Sequence, residues 1–130
     1  MAAPSEEQAP HVVRGPGSAG STLQTRAMER LPGITRESGA SKVWLGLVSG
    51  APNETGPPHH HGEAETALYL LSGHVRVYYG EGFEEHVEAG PGDFLFVPAD
   101  IHHIEANPYD KPFQGVLARA PDNIVVNLAD

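Results

Sequence analysis

The sequence contains no cysteine, which excludes a disulfide framework and any thiolate metal site. Basic residues are scarce: eight Lys and Arg stand against seventeen Asp and Glu, for a formal net charge of −9. Nucleic acid selects basic surfaces and anionic bilayers attract them, so neither is an expected partner. No apolar run approaches the ~20 residues that a membrane span needs. The first residues, Met-Ala-Ala-Pro-Ser-Glu-Glu, lack the basic region and apolar core of a signal peptide. The expectation is therefore a cytoplasmic chain with one domain, for which 130 residues supply a real core.

Also missing is any long stretch with the 3.6-residue period of a helix. Residues 1–20 are Glu, Pro, Gly, Ser and Ala with few large apolar side chains, and predict a disordered tail ahead of a single domain over 21–130. A short edge strand is expected between Leu23 and Arg30, broken by Pro32-Gly33. The first convincing strand is Lys42 to Val48, with Trp44 as a core anchor. Gly50 to Pro58 reads as a loop. Strands follow over Thr66–Leu71, His74–Tyr79, Glu84–Val87 and Phe94–Val97. Another opens at His103, and Phe113–Arg119 and Asn123–Leu128 close the sheet. Short strands punctuated by Gly and Pro every 8 to 12 residues predict an all-β sandwich or barrel.

What the chain does contain is histidine, in two clusters. Pro57-Pro58-His59-His60-His61-Gly62 leads into the apolar run Ala67-Leu68-Tyr69-Leu70-Leu71. In an extended strand His59 and His61 share one face and His60 takes the other. Two neutral imidazoles aimed at one point are half of a metal site. About forty residues later, Phe94–Val97 ends at Pro98-Ala99-Asp100 and a new strand begins with His102-His103. Alternation from His103 turns Glu105 and Asn107 to the same side, and Glu105 is a candidate to orient an imidazole or take a proton. His74, Arg76 and Tyr78 share a face that reads as surface, and Arg119 either meets an anion or simply ends a strand. His60 and His102 are off-face neighbours with packing or solvent roles.

The two clusters resemble the paired motifs of the cupin superfamily. The second motif fits closely, with Gly92, Pro98, His103 and Asn107 at its spacings and Asp100 in place of a glycine. In the first, His59 and His61 supply the His-x-His and Gly73 the closing glycine. Thr66 stands at the glutamate position counted back from Gly73, and Glu65 at the distance counted from His61. Either a one-residue bulge turns Glu65 to the metal, or the site is built of histidines alone. The resemblance implies a jelly-roll barrel (a double-stranded β-helix) and a divalent ion, Fe, Zn, Mn or Ni, on His59, His61, His103 and Glu65. It also implies a small-molecule substrate and a homodimer, for which the 23–31 region is available as a covering edge.

Three imidazoles leave about three positions on an octahedral ion, enough for a substrate oxygen pair plus dioxygen. Small cupins of this pattern resemble dioxygenases and zinc-dependent polyketide cyclases. The first reading is accordingly an iron dioxygenase. The alternatives are a non-redox isomerase, cyclase or lyase, and a non-catalytic module that binds a small ligand or metal. For any of them, protons should compete with the metal as pH falls through about 6.5.

Overall fold

A computed structural model describes residues 9–15, the backbone of 22–25, and 28–128. Its strands are β1 (Thr22–Thr25), β2 (Met28–Ile34), β3 (Trp44–Gly50), β4 (Glu54–Thr55), β5 (His59–His60) and β6 (Glu65–Ser72). They continue as β7 (Val75–Tyr79), β8 (Glu85–Ala89), β9 (Phe94–Val97), β10 (His103–Asn107), β11 (Phe113–Ala120) and β12 (Val126–Asn127). One sheet has the order β1-β2-β3-β11-β6-β9 and the other β12-β5-β10-β7-β8, with β4 also paired to β10. All pairings are antiparallel, and neighbours in a sheet are often distant in sequence, as in a double-stranded β-helix. The fold is all-β, as the Gly/Pro punctuation predicted.

Alternation along each strand explains which side chains meet between the sheets. In β6, Thr66, Leu68 and Leu70 are buried while Glu65, Ala67, Tyr69 and Leu71 face out. In β3 the inward set is Trp44, Gly46, Val48 and Gly50, and in β11 it is Phe113, Gly115, Leu117 and Arg119. Met28, Trp44, Val48, Leu68, Leu70, Val75, Ala89, Phe113 and Leu117 form one apolar cluster. Each large member contributes about 1.5–3 kcal/mol by leaving water. The remaining inward positions are polar: Arg30, His59, His61, Thr66, His103, Glu105, Asn107 and Arg119 are all buried. Among the described residues, a core with eight polar side chains beside thirteen apolar ones is costly to make unless those groups serve one another or a ligand.

Several expected boundaries moved. Pro32-Gly33 does not break a strand: β2 runs through it to Ile34, with a register shift against β3 between Pro32 and Ile34. Proline has no N–H to give the ladder, and the irregularity absorbs that loss. The loop between Gly50 and Pro58 holds β4, and the last strand shortens to Val126–Asn127. Most of the expected 1–20 tail lies outside the described residues. Within it, 9–15 is exposed, and the His11 ring meets the Ser38 carbonyl at 2.7 Å. Among the described residues no helix is long and apolar enough to cross a membrane.

Gly73, the glycine between β6 and β7, shows why that hairpin tolerates no side chain. Its φ is +77°, and a Cβ there would lie 2.4 Å from the Pro112 carbonyl oxygen and 2.6 Å from Phe113 Cα. Gly73→Ala therefore meets both left-handed strain and backbone overlap, together about 2–4 kcal/mol. In thermal unfolding this reads as a fall in Tm of roughly 10 °C for a domain of this size. An unchanged Tm would mean that the hairpin turns in some other way.

Candidate metal centre

The site is assembled from two neighbouring strands inside the second sheet. His59 lies on β5, His61 follows it, and His103 and Glu105 lie on β10, whose His103 pairs directly with His59. The four side chains are buried, and one donor atom from each lies within 4.8 Å of the others. The imidazole centroids are 4.8 Å apart for His59–His61, 4.4 Å for His59–His103 and 5.1 Å for His61–His103. Glu105 places one oxygen 3.6 Å from His59 Nε2 and the other 3.5 Å from His103 Nε2. Donors bound to one octahedral ion at ~2.1 Å stand ~3 Å apart when adjacent and ~4.2 Å when opposite, which is the scale seen here.

The hydrogen bonds fix which imidazole nitrogen is offered. His59 Nδ1 meets the Pro57 carbonyl at 3.0 Å, His61 Nδ1 the Ile124 carbonyl at 2.7 Å, and His103 Nδ1 the Ile101 carbonyl at 2.8 Å. A carbonyl only accepts, so each Nδ1 carries the proton and each Nε2 holds its lone pair. All three Nε2 atoms are buried, and among the described residues none has a hydrogen-bond partner. Three lone pairs in one buried space, each oriented by a backbone carbonyl behind it, is the arrangement of metal-ligating histidines. The donor set fits a divalent ion, and imidazole with carboxylate suits zinc, iron, nickel or manganese without choosing among them.

Electrostatics keeps the donors in their binding forms. Burial, reinforced by the nearby Arg119 charge, lowers His61 from its usual range to about 3. Burial also lowers His59, against the opposing pull of Glu105. For Glu105 burial alone would raise the carboxyl. The neighbouring Arg30, His103 and His59 override it and hold the group below the ordinary carboxylate range. Neutral imidazoles around an ionised carboxylate are what a cation requires.

Glu65 corrects the sequence expectation. It is exposed on the outer face of β6 and is not one of the four clustered donors. The reason is the turn after His61, where Gly62 takes a φ of +59° and the Ala64 N–H bonds to the His61 carbonyl. That turn resets the alternation, so β6 starts with Thr66 inward and Glu65 outward. Thr66 is buried at the position where the resemblance puts glutamate, but its hydroxyl accepts from Arg119 Nε at 2.6 Å. The carboxylate in the cluster is Glu105, which the sequence had offered as a catalytic residue. His60 and His102 stack on each other, centroids 5.0 Å apart. Arg76 pairs with Glu88 at 3.0 Å, away from the cluster. Arg30 was missed, although its spacing of two from Met28 puts a charge on the inward face of β2.

Two antiparallel sheets joined as a double-stranded β-helix, with a buried three-histidine, one-carboxylate cluster, define a class of β-barrel with a candidate divalent-metal centre. The profile of the Cupin domain family matches residues 46–118, and the chain belongs to that family. It is 28% identical over 99 residues to germin-like protein subfamily 2 member 3 of Arabidopsis thaliana. That alignment covers 73% of this chain and 42% of the relative, so the chain spans well under half of that protein. Among solved structures it is similar to the polyketide cyclase RemF of Streptomyces resistomycificus. The two share 25% identity and a TM-score of 0.67, over 95% of this chain and 87% of RemF. A double-stranded β-helix protein of Klebsiella pneumoniae subsp. pneumoniae matches over 92% of both chains, at 18% identity and a TM-score of 0.64. At that identity the likeness speaks to fold alone.

Proposed function

We propose that this chain is a metal-dependent enzyme acting on a small oxygen-bearing organic molecule by non-redox acid–base chemistry, as an isomerase, cyclase or lyase. The observation that carries the reading is the convergence of three carbonyl-anchored Nε2 lone pairs with the Glu105 carboxylate. With histidines alone, an octahedral ion keeps room for an oxygen pair and dioxygen, which pointed first to a dioxygenase. With Glu105 as a fourth donor, an ion held there would have two positions left, room for a substrate oxygen pair. The bound ion supplies Lewis acidity toward a carbonyl or enolate oxygen. His59, His61 and His103 would hold it, with one Glu105 oxygen as the fourth donor and the other receiving a proton and returning it. The resemblance to a polyketide cyclase over nearly the whole chain supports the same class of reaction.

The test is metal analysis of protein purified without added metal, together with turnover of small 1,3-dicarbonyl compounds under an oxygen electrode. About one equivalent of zinc or another non-redox divalent ion, and turnover without oxygen uptake, is the expected result. Iron with stoichiometric oxygen uptake would restore the dioxygenase reading, and a metal-free protein that binds but turns nothing over would make it a ligand-binding module.

The same proposal includes a homodimer, on a different ground from the one the sequence offered. The side chains of 22–25 are not described, but the outer face of the first sheet is. Register aligns Leu47, Val116, Tyr69 and Phe94 in one row and Leu45, Ala118, Ala67 and Phe96 in the next. Phe94 is 82% exposed and Phe96 56%. A solvent-facing sheet surface alternates to polar residues, and contiguous apolar patches of this kind mark interfaces. Light scattering at micromolar concentration should give twice the 13.8 kDa chain mass, and Leu47→Glu with Phe94→Glu should halve it. A monomer in the unmodified protein would remove the dimer.

A further inference from the structure

Two arginines on the inner face of the first sheet stand beside the cluster without being part of it. Arg30 is fully buried on β2, and among the described residues none of its three side-chain nitrogens has a hydrogen-bond partner. Arg119, 1% exposed on β11, is held: Nε donates to Thr66 Oγ1 at 2.6 Å and Nη1 to Asn123 Oδ1. Its Nη2 is buried with no partner among the described residues. Glu105 does not close an ion pair with either, because its two oxygens lie beside His59 and His103 at 3.6 and 3.5 Å. Yet the three charges are near enough to interact. Arg30 acts electrostatically on Glu105 and His59, and Arg119 acts on His61 and on Arg30.

An arginine does not shed its proton inside a protein, so a buried guanidinium without an anion is strongly unfavourable. Two guanidinium groups against one carboxylate leave the pocket positive before any ion adds its own charge. A planar fork with free N–H donors matches a carboxylate-type oxygen pair in shape as well as charge. Beside the cluster lies an apolar cavity of about 290 Å³, lined in part by Val77, Tyr79, Leu95, Val97 and Ile101. Val77 is the strand partner of Glu105 and Tyr79 that of His103, so this cavity is lined from the strand next to the one that carries those two cluster residues.

We propose that the pocket takes a small amphiphilic organic anion, its planar oxygen pair held by the Arg30 fork and Arg119 Nη2 beside the cluster and its apolar body in the Val77–Ile101 cavity. This specifies the substrate class of the site proposed above and rests on that reading only for the nearness of the oxygen pair to a metal. Arg119 is the fixed donor, and Arg30 is the fork whose charge the anion satisfies.

Benzoate and its uncharged isostere benzamide test this by calorimetry on zinc-loaded and metal-free protein. Benzoate should bind at least about tenfold more tightly than benzamide in both forms. Arg30→Met should weaken benzoate at least about tenfold, leave benzamide nearly unchanged and not weaken zinc. It should also raise the Tm of the protein without benzoate, because an apolar chain of similar length replaces an unpaired buried charge; an arginine kept for structure would give a fall. Arg30→Lys keeps the charge and loses the fork, so an intermediate loss is expected, and this variant carries the test if Arg30→Met does not fold. Equal affinity for benzoate and benzamide, or unchanged benzoate affinity in either variant, overturns the proposal. If the unmodified protein fails to bind zinc but prefers benzoate in its metal-free form, the metal reading falls and the anion site stands.

Discussion

Alanine at His59, His61 or His103 should each abolish tight binding of a divalent ion, while Glu65→Ala leaves affinity within about twofold of the unmodified protein. Each imidazole offers a buried Nε2 that no neighbouring residue in the described structure satisfies, and each is aimed by its Nδ1–H on a backbone carbonyl. Removing one leaves three donors and opens a gap in a closed space. Glu65 is exposed on the far face of β6 and has no path to the cluster. Glu105→Gln should behave differently from both groups. It keeps the shape but loses the negative charge, so metal affinity should fall roughly 10- to 100-fold, the scale of a lost supporting carboxylate, while turnover should vanish. Calorimetric titration of zinc into the five variants decides the matter. Full affinity after loss of His103 would dissolve the site, and lost affinity after Glu65→Ala would put a carboxylate where the fold does not.

The metal-free protein should lose stability steadily as pH falls from about 6.5 toward 3. In the unfolded chain an imidazole gains its proton near 6.5. In the folded protein burial, helped by Arg119, delays protonation of His61 to about 3. Between those limits the unfolded state holds more protons, so acid favours unfolding. A shift of that size for a residue 2% exposed sets an upper limit on the order of 5 kcal/mol. Glu105 acts in the same direction at lower pH, because its carboxyl is held below the ordinary range and its contribution is lost only as it is protonated. Urea midpoints at a series of pH values measure this, and His61→Ala should flatten the slope across the window. A flat profile in the unmodified protein would show that His61 is not buried in its neutral form. Metal should also stay bound further into acid than free imidazole allows, which moves the expected loss of affinity below pH 6.5.

Much of the fold was legible from local chemistry. Glycine and proline punctuation marked the turns, and the strands expected over Lys42–Val48, Thr66–Leu71 and Phe113–Arg119 lie within a residue or two of β3, β6 and β11. The histidine pairs announced the cluster because His59 and His61 share a strand face and His103 opens another strand. Boundaries were less legible, as at Pro32-Gly33, where the ladder with β3 carries the chain past a residue that breaks isolated strands.

By itself the sequence determined an all-β domain, the three histidines and the inward parity of Glu105, because these follow from the backbone's two-residue period and the chemistry of imidazole. Only the tertiary structure decided which carboxylate joins them, since the Gly62 turn resets alternation and exposes Glu65. It alone set His103 opposite His59, a pairing across more than forty positions that no local pattern encodes. It alone also buried Arg30 and Arg119 on the inner face of the other sheet, within electrostatic reach of Glu105, because which buried charges come near one another depends on how two sheets pack and not on any interval along the chain.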